Sequence, residues 1–133
     1  MVSRTFKACD ENMQAVNDFI HSNFPENISP KAAGEIDLAV EEIFVNIAHY
    51  AYHPETGTVE IECSVDEEGF LKIVFYDSGM PYNPLLRKDP DITQSAEERN
   101  IGGLGIFLTK KFMDDVGYFF AGGKNVLYIR KRL

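Results

Sequence analysis

The sequence predicts an α+β fold: a two-layer α/β sandwich in which three helices cover one face of a mostly antiparallel mixed sheet. Three observations predict it. Strand-like segments come in adjacent pairs joined by short turns, at 57–77 and 116–131, and do not alternate with helices as a doubly wound parallel sheet requires. Segment 58–65 alternates so cleanly that only one of its faces is apolar, the pattern of a sheet with one covered and one wet face. Three segments carry apolar residues at helical spacing, two before the first strand pair and one before the second.

The elements follow in order. Arg4 to Ala8 predicts a short first strand. Asp10 reads as a helix N-cap, with Glu11 in the first turn, where a negative charge suits the helix dipole. Met13, Val16, Ile20 and Phe24 then recur at helical spacing, and Pro25 ends the segment. Ser29-Pro30 starts the second helix, a capping hydroxyl followed by proline at the first helical position. That helix runs to about Tyr52, where His53-Pro54 stops it, because proline disfavours helical backbone in the residue before it.

Its buried stripe is Ile36, Val40, Ile43, Phe44, Ile47 and Ala51. A second stripe carries Glu35, Glu42, Asn46, His49 and His53, and the apolar neighbours Phe44, Val45 and Ile47 predict that Glu42 and Asn46 are semi-buried. Val59, Ile61, Cys63 and Val65 form the core face of the next strand. Asp66-Glu67-Glu68-Gly69 turns the chain, and Leu71, Ile73 and Phe75 continue that face up to Asp77. From about Met80 to Ile101 the chain has no periodicity, and loops of that length in a compact domain are functional or disordered. Gly102 to Gly105 opens the third helix. Val116 to Phe120 and Val126 to Lys131 form the last strand pair around the turn Gly122-Gly123-Lys124-Asn125.

Composition narrows the function. At 133 residues the chain is expected to be a single domain, 1–133, large enough to bury one core. With 21 acidic against 13 basic residues and a net charge of −8, it lacks the clustered cations that bulk nucleic acid requires, and a basic protein is the better matched partner. Arg130-Lys131-Arg132 is the one basic cluster and reads as a solvated strand end. No apolar run approaches the roughly 20 residues of a membrane span, and the N-terminus has no signal-peptide core. Cys9 and Cys63 fit no zinc spacing, so the expected setting is the reducing cytoplasm, with Cys63 a buried small hydrophobe.

Three polar constellations carry chemistry. Asp77, at a strand end beside Ser78 and Gly79, offers a pure acceptor for an exocyclic amino group such as adenine N6, and Gly79 permits close approach of a flat ring. Gly102, Gly103 and Gly105 precede a helix, whose free N–H groups favour anions. Asn46 can give Mg²⁺ an oxygen, and Glu42, one turn earlier, can orient or deprotonate a hydroxyl near a terminal phosphate. Each pattern alone has a plain structural reading as a turn, a hinge or a polar helix face. His49 and His53 have metal-ligand spacing on a helix, but no third ligand follows at a recognisable interval.

The order of these constellations is more specific than any of them. Glu42-x-x-x-Asn46 with His49 and Tyr52, then Asp77-x-Gly79-x-Pro81-Tyr82, then Gly102-Gly103-Leu104-Gly105 resembles the N, G1 and G2 boxes of the GHKL ATPases, the superfamily of gyrase, MutL and sensor histidine kinases. Its ATP-binding domain is the Bergerat fold. The short chain is similar to the smallest branch, the anti-sigma-factor serine kinases, and the resemblance spans about Thr5 to Leu133.

The resemblance implies ATP and Mg²⁺ as ligands. It makes Glu42 the catalytic base and Asn46 the Mg²⁺ ligand. Asp77 with Gly79 receives the adenine, Tyr82 walls the base of a lid running from about Leu85 to Ile101, and Gly103, Leu104 and Gly105 approach the phosphates. It implies a sigma factor or an anti-sigma-factor antagonist as partner, serine phosphorylation of the antagonist, and dimers as the usual assembly. One departure stands out. Members often place an arginine just before the second glycine box, where this chain has Asn100-Ile101, with Arg99 slightly earlier and Arg87, Lys88, Lys110 and Lys111 as other cations. That keeps open a second function, an ATP-binding module that sequesters a partner without catalysis. A sensor histidine kinase catalytic domain fits less well, since few residues precede Glu42 and His21 lies on a short helix.

Overall fold

The computed structural model describes residues 1–86 and 103–133. Strand β1 (Val2–Lys7) leads through a 3₁₀ turn (Asp10–Asn12) into helix α1 (Met13–Ser22). Helix α2 (Pro30–Asn46) passes directly into a π-helical turn (Ile47–Ala51). Strands β2 (Thr58–Val65) and β3 (Phe70–Asp77) form the first hairpin. After a 3₁₀ turn (Pro84–Leu86), helix α3 (Gly103–Phe112) precedes the second hairpin, β4 (Asp115–Ala121) and β5 (Lys124–Arg132). The sheet order is β1-β2-β3-β5-β4, and all four pairings are antiparallel. The α+β architecture read from the sequence is the observed one, except that among the described residues the sheet is wholly antiparallel and not mixed, because the two hairpins and β1 all join neighbours running in opposite directions.

Register explains the core. Ile61 faces Phe75 across β2–β3, and Ile73 faces Ile129 across β3–β5. These side chains join Val16 and Ile20 of α1 and Ile36, Val40, Ile43 and Phe44 of α2 in one buried cluster. Cys63 belongs to it, and burial pushes its thiol up to about 12, so it is inert packing. Helix α2 starts where the sequence places its start: Ser29 Oγ accepts from the Ala32 N–H at 3.1 Å, and Pro30 occupies the first helical position. Replacing this cap should cost about 1 kcal/mol. Ser29→Ala is expected to lower the urea unfolding midpoint by that amount with an unchanged slope.

Several local readings change. The turn between β4 and β5 needs only Gly122 and Gly123, with φ +61° and +75°, because both adopt the left-handed backbone that closes a two-residue hairpin. Asn125 therefore lies in β5, opposite Phe120 and Asp77. Asp10 caps no helix. Its carboxylate instead meets His49 Nε2 at 2.8 and 2.9 Å, joining the 3₁₀ turn to the end of the second helix.

Within the cluster Arg130-Lys131-Arg132, Arg130 and Lys131 are paired and not merely solvated. Arg130 bonds Asp66 at 2.9 Å, and Lys131 Nζ donates to the Phe112 carbonyl at 2.7 Å and lies 3.5 Å from Glu35. Asp66 also accepts from the Phe70 and Glu68 N–H groups, and the Phe70 bond together with Arg130 holds its carboxyl below the usual carboxylate range.

Candidate functional site

Asp77 ends β3 on the helix-covered face, between Val59 of β2 and Asn125 of β5, and is only 7% exposed. A carboxylate this buried needs donors. Its Oδ1 accepts from Asn125 Nδ2 at 2.9 Å and from the Gly79 N–H at 3.0 Å. Among the described residues both bonds fall on Oδ1, which leaves Oδ2 open as an acceptor.

The chain after Asp77 is clamped from two sides. On the helix side, the Met80 N–H donates at 2.9 Å to the carbonyl of Ala51, one of the terminal carbonyls that a helix leaves without an intrahelical partner. Gly79 passes so close that an added Cβ would lie 2.7 Å from the Ala51 carbonyl carbon and closer still to its oxygen. Tyr52 reinforces this clamp: its hydroxyl donates to the Thr58 carbonyl at 2.6 Å and accepts from the Ser78 N–H at 2.8 Å. On the sheet side, Asn125 Oδ1 accepts from the Tyr82 N–H at 3.1 Å and from the Tyr118 hydroxyl, while its Nδ2 also donates to the Met80 carbonyl at 3.0 Å.

At the other end of the site, Glu42 and Asn46 lie one turn apart on α2, both half-buried. Asn46 Nδ2 donates to Glu42 Oε1 at 3.1 Å, which orients the amide and leaves its oxygen for another partner such as a cation. The first turn of α3 presses against Glu42. A Cβ on Gly105 would lie 2.7 Å from Glu42 Cγ and closer still to the carboxyl group. Thr109 Oγ1 donates back to the Gly105 carbonyl at 2.9 Å. An open cavity of about 280 Å³ lies over the α2–α3 seam, lined by Leu38, Glu41, Glu42, Val45, Gly105 and Leu108.

The fold thus brings together Glu42, Asn46 and Gly105 as one cluster and Asp77, Gly79 and the Tyr82 backbone as another, with α2 and its π-helical turn spanning the two. The Tyr82 residue is 52% exposed, as suits the rim of a site more than its floor. Gly103 is the first residue of α3. Arg99, Arg87, Lys88, Asn100, Ile101 and Gly102 lie outside the described residues, as does the Leu104 side chain, and of the lid only 85–86 fall inside them. Sequence reasoning missed Asn125 because the residue seemed part of a turn. The glycine pair just before it was the available signal, since two left-handed residues close a hairpin by themselves and free the next positions for pairing.

The donor set fits a purine nucleotide with a divalent cation: an open carboxylate oxygen, an available amide oxygen, and two glycines whose missing side chains let the backbone pack closely at both ends. The family profile of the histidine kinase-like ATPase domain matches residues 6–131, and the chain belongs to that family. The serine-protein kinase RsbW of Listeria monocytogenes is 31% identical over 104 residues, covering 74% of this chain and 66% of the relative. RsbW of Listeria innocua is 30% identical with the same coverage, so the match spans slightly under two thirds of these relatives' length. Among solved structures, the histidine kinase domain of a blue-light activated histidine kinase from Erythrobacter litoralis superposes with a TM-score of 0.59 at 18% identity. It covers 92% of this chain and 60% of that one, a likeness of fold. Among the described residues no helix is long and apolar enough to cross a membrane.

Proposed function

We propose that this member of the histidine kinase-like ATPase family is a cytoplasmic ATP-dependent protein-serine/threonine kinase and anti-sigma factor, acting as a single domain and as a homodimer. In this reading it binds a sigma factor and phosphorylates an anti-sigma-factor antagonist on serine. The similarity to serine-protein kinase RsbW favours this branch of the family. The observation that carries the reaction is the Glu42 carboxylate, held by Asn46 at 3.1 Å and packed against the first turn of α3.

The roles follow from the chemistry. Asp77 Oδ2 accepts from the adenine amino group, with Gly79 beside the ring and Tyr82 at the rim. Asn46 offers its amide oxygen to Mg²⁺, which when bound neutralises phosphate charge. Gly103, Leu104 and Gly105 bring backbone N–H groups of a helix start toward the phosphates, with Arg99 as the cation nearest in sequence. Glu42 takes the proton of the acceptor serine hydroxyl as the serine oxygen bonds to the γ-phosphorus and the bond from that phosphorus to the β–γ bridging oxygen breaks, releasing ADP.

The second reading, an ATP-holding module that sequesters its partner without transfer, is favoured by the position of Arg99 relative to the second glycine box. One experiment separates the two. The protein is purified with the partners it retains, incubated with Mg²⁺-ATP, and every retained protein is searched for phosphoserine by mass spectrometry. Appearance of phosphoserine in step with ADP release supports the kinase. Nucleotide retention with no phosphoserine on any partner overturns it in favour of sequestration.

A further inference from the structure

We propose that Asn125, braced by Tyr118, is the positioning residue that makes this site prefer adenine over guanine. The inference rests on the nucleotide reading above and adds a role for residues that reading does not use.

A carboxylate with both oxygens free suits guanine well, because guanine presents N1–H and the 2-amino group side by side and a carboxylate can accept both at once. Adenine presents one amino group, flanked by acceptors. The number of free oxygens on Asp77 therefore bears on which base is held. In this structure Oδ1 is taken by Asn125 Nδ2 at 2.9 Å and the Gly79 N–H at 3.0 Å, so only Oδ2 remains. A single open oxygen matches the single amino donor of adenine and loses the two-oxygen, side-by-side acceptance that the paired donors of guanine favour, while the 6-oxo group of guanine would face it as acceptor against acceptor.

Asn125 is fixed in the orientation that enforces this. It is 5% exposed, and its Oδ1 receives both the Tyr82 N–H at 3.1 Å and the Tyr118 hydroxyl. Its Nδ2 donates to Asp77 Oδ1 and to the Met80 carbonyl at 3.0 Å, with the Gly79 carbonyl at 3.4 Å. Flipping the amide would set its NH₂ group against the Tyr82 N–H, a fixed donor, and its oxygen against the Asp77 carboxylate and the Met80 and Gly79 carbonyls, all acceptors, so the network favours one orientation. Tyr118 reaches Asn125 from β4, the strand that pairs with β5 on the side away from Asp77. Oδ1 of Asp77 is thus held jointly by the Gly79 N–H of the following loop and by Asn125 of β5, which Tyr118 of β4 braces.

The test measures dissociation constants for Mg²⁺-ATP and Mg²⁺-GTP on the full chain, as wild type, Asn125→Ala and Tyr118→Phe, with unfolding midpoints recorded alongside. Wild type is expected to prefer ATP. Asn125→Ala should reduce the ATP-over-GTP preference by about tenfold or more, and Tyr118→Phe by about threefold. General loosening of the loop weakens both nucleotides alike and leaves their ratio unmoved, so the ratio reports the positioning role. Should Asn125→Ala fail to fold, Tyr118→Phe decides by the same ratio. An unchanged ratio in the folded variants, or a wild type that binds both nucleotides equally, overturns this inference and leaves the ATP site standing. A wild type that binds neither overturns both.

Discussion

Glu42→Gln is expected to lower the rate of phosphoryl transfer by roughly two to four orders of magnitude while ATP affinity stays within about threefold of wild type. The substitution is nearly isosteric. A glutamine carbonyl can still accept from Asn46 Nδ2, the bond that Glu42 Oε1 accepts at 3.1 Å, so the packing against Gly105 need not change. What disappears is the capacity to take a proton. The effect should fall on kcat and leave KM for ATP nearly unmoved, the signature of an interaction made in the transition state and not in the bound ground state. Transfer at the wild-type rate would show that another group accepts the proton and would remove Glu42 from the mechanism.

Gly79→Ala should be nearly as damaging, by a different route. The new methyl would sit 2.7 Å from both the carbonyl carbon and the Cβ of Ala51, inside van der Waals contact of backbone that cannot rotate away. Either the π-helical turn or the loop after Asp77 must move, and the Met80 N–H bond to the Ala51 carbonyl joins them. We expect a stability loss of about 1–3 kcal/mol by urea unfolding. ATP affinity should fall by more than about tenfold, because the open oxygen of Asp77 is placed by the same loop. Native-like stability with native ATP affinity would mean that the close approach of this loop to α2 is not needed for the site.

Much of this molecule is legible in its sequence, for identifiable reasons. The alternation through Val59, Ile61 and Cys63 reports a sheet covered on one face, and the pairing of Ile61 with Phe75 is the expected hairpin. The cap-and-proline pair Ser29-Pro30 fixes the start of α2, and helical spacing alone then places Glu42 and Asn46 on one face. The contact of Gly105 with Glu42 is tertiary and no local pattern encodes it, yet the glycine itself was a signal. What stayed hidden depends on register and on long-range polar pairing. Asn125 gains its place opposite Asp77 only once the hairpin turn is known to close in two residues. Asp10 looks like a helix cap because its type and position suit one, but His49, far along the chain, holds its carboxylate. Arg130 and Lys131 look like a wet strand end until the β2–β3 turn and the end of α3 supply their acceptors.

In the proposed function Mg²⁺-ATP is held through the open Oδ2 of Asp77. Calorimetric titration of the full chain with Mg²⁺-ATP, beside Asp77→Asn, tests it most directly. An asparagine in this position can keep its oxygen on the Gly79 N–H and Asn125 Nδ2, which turns an NH₂ group toward the ligand. Donor would then face donor at the adenine amino group. Saturable binding at one site per chain is expected in wild type, with a loss of about a hundredfold or more in Asp77→Asn at similar unfolding midpoints. Absence of saturable binding in the folded wild type, or equal affinity in the two proteins, would contradict it.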